Sequence, residues 1–202
     1  ICNMILDFSP MKHALLSDGG IVALVALLLS EDAELRLNGL WALENATFNS
    51  DEAVKADVMN ALGFERLAAL CTHVCGQVSE RALNLLRNLV FPSRSSSKEG
   101  QVNPVFQEMG ENLVPVLTAA LVASSPAGVA ENALYVVCNV ASGTEADKGL
   151  VMRSTLPEKI LACLRHENER VRVAAVWCVI NLCWSGSCDY ATSSTDIAGA
   201  LF

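Results

Sequence analysis

RVRVAAVWCVINLCWSG, residues 170–186, is apolar from Val173 to Trp184 except at Asn181. An amide set in a run built for burial needs a partner, because leaving it unsatisfied costs roughly 1–3 kcal/mol. The phrase recurs along the chain. ELRLNGLWALENATF at 34–48, SERALNLLRNLVF at 79–91 and GVAENALYVVCNVAS at 128–142 match it, and ICNMILDF at 1–8 reads as the end of one more copy. The anchoring residues Asn3, Asn45, Asn88, Asn139 and Asn181 are separated by 42, 43, 51 and 42 residues. That period belongs to stacked helical repeats.

Neighbouring columns keep the same register. Six positions before the last four asparagines stand Gly39, Ala82, Ala133 and Ala175; five before stand Leu40, Leu83, Leu134 and Val176; two before stand Leu43, Leu86, Val137 and Val179. Small residues admit a second helix closely, and the larger ones share a helical face aimed at a common core. Between the long helices the pattern predicts a short and a medium helix in each unit. The first unit starts at Ser9-Pro10, continues through GGIVALVALLLS and ends with a long helix near 32–48. The second is expected at 51–61, 63–75 and 78–91, and the third at a weak element near 103–111, then 112–124 and 127–142. The fourth is expected at 144–153, 156–165 and 168–184, with Thr155 and Glu158 at capping-box spacing. The 51-residue interval has a local cause in PSRSSSKEGQVNP at 92–104, a Ser-, Gly- and Pro-rich stretch that reads as an extended inter-helix loop. Neither end carries an obvious polar cap. Residues 1–202 therefore read as one repeat domain cut from a longer solenoid, with an end able to self-associate.

Composition narrows the class. The chain is 52% hydrophobic and 18% charged, enough to bury a large core, and its formal charge of -8 argues against a general nucleic-acid surface. The longest unbroken apolar run, IVALVALLL at 21–29, falls short of a membrane span. Cys138, Cys163, Cys178 and Cys183 lie inside apolar helical patterns as small hydrophobes, which points to a reducing compartment; we expect the protein to be cytoplasmic and nuclear.

No chemistry assembles from the polar residues. Cys71, His73 and Cys75 in CTHVC suggest zinc, but the histidine points away from both thiols on a continuous helix, and a closed site generally takes four ligands. Ser17-Asp18-Gly19-Gly20 reads as a turn, lacking the Lys-Ser/Thr of a phosphate loop. His13 and His166 have no nucleophile in view, and Cys183 and Cys188 name no redox motif. We expect a noncatalytic protein without metal or cofactor.

Three-helix units of this period, with long helices carrying LWALENAT at 40–47 and VWCVINLC at 176–183, resemble armadillo repeats; NLLRNLVF at 84–91 and LYVVCNVA at 134–141 are looser versions. The resemblance implies an all-α, right-handed superhelical solenoid of about four repeats plus partial ones, with the long helices lining a concave face. It further implies that the asparagine column hydrogen-bonds the backbone of an extended peptide. Asn45, Asn88, Asn139 and Asn181 match that column, with Asn3 as a fifth member, while Trp41 and Trp177 match a tryptophan column whose middle places hold Asn84 and Tyr135. An asparagine offers both a donor and an acceptor to a peptide unit, and a tryptophan one turn away covers a side-chain stem. The alternative is structural: the asparagines stitch neighbouring repeats while the tryptophans fill the inner face. Arg81 and Arg87 read as solvated positions able to meet an acidic partner, and Glu44 and Glu131 form no convincing row of acidic pockets.

ICNMILDFSPMKHALLSDGG, followed by LRLNGLWALENATFNSDEAVKADVMNALGFERL, narrows the resemblance to the C-terminal region of the armadillo scaffold subunits of GID/CTLH-type ubiquitin ligases, over roughly residues 1–186. Such a subunit would link the RING-containing ligase subunits to an interchangeable, degron-reading substrate receptor, whose tail would lie in the concave groove. Catenin-like adhesion or cytoskeletal scaffolds and importin-like signal receptors share the architecture and are the alternatives.

Overall fold

A computed structural model of the chain describes residues 10–91 and 109–184. Asn3, the loop at 92–104, most of the element expected at 103–111, Cys188 and the terminal stretch 191–202 lie outside the described residues. The rest forms helical units in the expected order. Unit one holds α1 (Pro10–Ser17), α2 (Gly20–Leu27) and α3 (Ala33–Thr47); unit two holds α4 (Glu52–Leu62), α5 (Phe64–Cys71) and α6 (Gly76–Val90). Unit three shows a 3-10 turn (Gly110–Asn112), α7 (Leu113–Ala120) and α8 (Ala127–Ala141), and unit four α9 (Glu145–Met152), α10 (Leu156–Cys163) and α11 (Glu169–Cys183). The long helices α3, α6, α8 and α11 each run 15 residues and pack side by side in sequence. The second helix of each unit backs its long helix, and α2, α5, α7 and α10 form an outer layer with the first helices. The result is an all-α superhelical solenoid.

The repeated columns explain the stacking. Leu40, Leu43, Leu83, Leu86, Leu134 and Val137 are fully buried, each burial stabilising by roughly 1.5–3 kcal/mol. Ala82, Ala133 and Ala175 are equally enclosed, and a side chain at Gly39 would come within 3.0 Å of both Leu27 and Leu28. The small column is thus where the second helix presses on the long one. One continuous core runs from Ile21 to Leu182.

The expected medium helices are shorter than their apolar runs suggest. All four, α2, α5, α7 and α10, have eight residues, while α4 has 11. Side-chain donors tie down the turn that follows two of them. Arg36 Nη1 donates to the carbonyls of Ser30 (2.6 Å) and Glu31 (2.9 Å), and Arg172 Nη1 does the same to His166 and Glu167, at 2.8 Å each. In unit two Ser79 Oγ reaches the Cys71 carbonyl, at 2.5 Å. These bonds hold open the turn into the long helix. The joints between first and second helices use glycine in units one and two, Gly19 at φ 77 and Gly63 at φ 76, a region glycine enters without steric cost. The capping box falls on Thr144 and Asp147 at the start of α9, not on Thr155 and Glu158. Instead Ser154 Oγ accepts from the Leu156 amide at 3.1 Å.

A second repeated device escaped the sequence reading. Lys12, Lys55 and Lys148, each on the first helix of its unit, donate to the carbonyls of Phe48, Phe91 and Trp184, all 36 residues onward. Each acceptor is the residue at the C-terminal cap of the unit's long helix, where carbonyls lack intrahelical partners and a cation is favoured. Lys55 is the most enclosed, at 2% exposure, with its ammonium also 3.3 Å from Glu52.

Among the described residues, the final long helix, α11, is open on the side its predecessors have covered. Val176 is 46% exposed, whereas Leu40, Leu83 and Leu134 in its column are 0% exposed. Val173, Ile180 and Cys183 are exposed along the same helix, so Cys183 is not the enclosed thiol its apolar setting suggested. We expect this chain to associate reversibly with rising concentration, and Val176→Lys with Ile180→Lys to shift it toward monomer in sedimentation velocity. Unchanged association in that variant would locate the contact elsewhere.

Candidate partner-binding groove

The long helices present their asparagines in a row, and three of them bond the same way. Asn88 Nδ2 donates to the Glu44 carbonyl (3.0 Å), Asn139 Nδ2 to the Arg87 carbonyl (3.1 Å) and Asn181 Nδ2 to the Cys138 carbonyl (3.0 Å). Every acceptor is the residue immediately before the asparagine of the preceding unit. Asn181 also lies 3.1 Å from the Cys138 sulfur. The structural role of these residues is therefore real; it uses one of the two amide hydrogens at Asn88 and Asn139, and at Asn181 the amide serves both the carbonyl and the sulfur of Cys138. All four are half-buried, and the Oδ1 atoms of Asn88, Asn139 and Asn181 accept no hydrogen bond among the described residues. Asn88 and Asn139 each retain one donor and one acceptor, the pair a peptide unit matches, while Asn181 retains its acceptor. Asn139→Ala is expected to lower stability by about 1 kcal/mol in urea denaturation, as one inter-unit bond is lost at a half-buried site. A neutral effect would mean water replaces it fully.

The tryptophan column faces outward from the same wall. Trp41 is 38% and Trp177 50% exposed, while Tyr135 is half-buried. Asn84, in the same column, turns to the preceding unit and donates to Glu44 Oε2 at 3.0 Å. Between α3, α6 and α8 lies a groove of about 550 Å³, lined among others by Trp41, Glu44, Arg81, Asn84 and Asn132.

Two arginines prove less solvated than expected. Arg81 donates to Glu44 Oε2 at 3.0 Å and stacks with its guanidinium carbon 5.2 Å from the Trp41 ring centre. Arg87 stands 4.2 Å over Tyr135. Stacking on an aromatic face fixes a guanidinium plane and favours it by roughly 0.5–2 kcal/mol. Glu44, 5% exposed, accepts from both Arg81 and Asn84 on one oxygen, and its Oε1 has no partner among the described residues. Burial raises its carboxyl from the ordinary 4.5 to about 7, outweighing the opposing pull of Arg81. The sequence marked Glu44 only as a weak acidic position, since nothing local signals that its neighbour on the next helix is an arginine.

The residues weighed for other chemistry do not converge. Cys71 is buried, with its thiol pushed up by burial, whereas Cys75 is exposed. His73 Nδ1 accepts from the Cys75 amide at 3.0 Å, so the ring caps the turn after α5. His166 likewise accepts from the Asn168 amide. Among the described residues no group of three or more His, Cys, Asp or Glu could hold a metal ion, and no helix is long and apolar enough to cross a membrane.

Comparison with known proteins agrees with this geometry. The model of the armadillo/beta-catenin-like repeat matches residues 8–48. A designed armadillo repeat protein in complex with the peptide (KR)4 superposes over 98% of this chain and 78% of its own, with a TM-score of 0.81 at 20% identity. The chain belongs to the armadillo-repeat family. Within that family its sequence is related to armadillo repeat-containing protein 8. It is 32% identical to the Xenopus laevis protein over 185 residues, covering 92% of this chain and 25% of that one. GID complex subunit 5 of Schizosaccharomyces pombe is 26% identical over 156 residues, covering 77% of this chain and 19% of the relative. The chain thus spans about a quarter or less of the length of these relatives.

Proposed function

We propose that this chain is part of the noncatalytic scaffold subunit of a GID/CTLH-type ubiquitin ligase, and that its groove holds an extended tail of the substrate receptor while other surfaces meet the RING-containing subunits. The observation that carries this reading is the wall of long helices, on which Asn88 and Asn139 each keep a donor and an acceptor and Trp41 and Trp177 are exposed. The relationship to a GID complex subunit supplies the setting. Asn3, Asn45 and Asn84 extend the proposed contact surface, the last through its place beside Glu44. In this role the solenoid transfers no ubiquitin; it fixes the distance between the receptor and the catalytic subunits.

The test pairs affinity with folding. Trp41→Ala with Trp177→Ala removes exposed plates that the core does not need, so helicity should stay intact. Affinity purification of the double variant should recover the receptor subunit at least tenfold less well, with RING subunits retained, since buried aromatic anchors dominate binding. Undiminished receptor recovery would move the contact to another face.

A further inference from the structure

We infer that the wall of long helices receives a carboxylate at Arg87, so that the bound segment is acidic there, through an aspartate, a glutamate or its own C-terminus. This rests on the groove reading above and gives the occupant a chemistry. Arg87 lies in the last turn of α6, its guanidinium 4.2 Å over the Tyr135 ring, and its side chain makes no hydrogen bond among the described residues. A guanidinium presents its N–H groups as a planar fork, which matches the two oxygens of a carboxylate. The residues on either side are those left with peptide-binding groups: Asn88 follows it directly, and Asn139 is bonded to its own carbonyl at 3.1 Å. A segment lying across Asn88 and Asn139 therefore passes this guanidinium.

The neighbouring subsite disfavours the opposite charge. A cationic ligand stem would use the face of Trp41, but Arg81 already stands over it and is paired with Glu44.

The probe is a phage-displayed library of random octapeptides, selected on the 202-residue chain, with winners resynthesised with free and with amidated C-termini. Winners are expected to carry Asp or Glu, or to need the free terminus, which separates the two carboxylate sources. Their binding should weaken about tenfold in Arg87→Gln, further in Arg87→Glu and with added salt, and stay constant in Arg66→Gln on α5. Acidic winners indifferent to Arg87 would overturn the inference. Neutral or basic winners that require Asn88 and Asn139 but not Arg87 would overturn it as well, leaving the groove reading standing. Winners that ignore all three residues, or no winners, would remove both.

Discussion

Lys55→Met should lower the stability of the second unit by about 2–3 kcal/mol, the largest single-residue effect we expect outside the apolar core. The substitution keeps most of the side-chain volume and removes the ammonium. It leaves the Phe91 carbonyl without its 2.5 Å donor and Glu52 without its 3.3 Å counter-charge. Breaking a fully buried pair costs roughly 3–5 kcal/mol, and Glu52, 28% exposed, recovers part of that from water. The same change at Lys148 should cost less, because Lys148 is 11% and its partner Glu145 44% exposed. At Lys12, where the bond to Phe48 is exposed, it should cost less than about 1 kcal/mol. Urea midpoints for the three variants test the order Lys55, Lys148, Lys12. Equal losses would show that burial of the lysine does not set the value of the bond. Hydrogen exchange should quicken first at the ends of α4 and α6, because solenoid units respond locally to local damage.

A second large effect concerns pH. Glu44 has its carboxyl raised from 4.5 to about 7 by burial. Between those values the folded chain holds a proton that the unfolded chain has released. Stability from this group is complete below about pH 4.5 and declines as pH rises toward 7. The full window corresponds to about 3 kcal/mol at roughly 1.4 kcal/mol per unit, and raising pH from 5.5 to 7.5 should remove about half or more of it. Glu44→Gln keeps an oxygen for Arg81 and Asn84 and cannot ionise. The difference between wild type and this variant, followed by chemical denaturation across that range, isolates Glu44 from the histidines. Parallel pH curves would mean that Arg81 holds the carboxylate charged throughout.

Much of this architecture could be read before any coordinates. The long helices were legible because small, large and amide positions recur together: Gly39 meets Leu27 and Leu28 behind it, and Ala82, Ala133 and Ala175 are fully enclosed. What the asparagines bond was not legible. Their acceptors are backbone carbonyls of Glu44, Arg87 and Cys138, and a carbonyl leaves no mark on residue identity. The lysines at a constant 36-residue offset were visible, yet a lysine is ordinarily read as solvated, and only the fold shows Lys55 enclosed. Beyond the ends of α2 and α10, Arg36 and Arg172 fold back on the turn before the long helix, a tertiary event that hydrophobic runs do not report. In the groove, exposed Trp41 and Trp177 follow from their column. The pairings of Arg81 with Glu44 and of Arg87 with Tyr135 arise between successive long helices.

The bonds of Asn88, Asn139 and Asn181 point the same way, from the later unit back to the earlier one. A chain leaving the ribosome exposes its early modules first. Each newly emerged module therefore brings the hydrogen atom, and the oxygen that takes it already sits on a finished surface. Growth of the superhelix can keep pace with translation, one ratchet-like click per module, without waiting for the C-terminus.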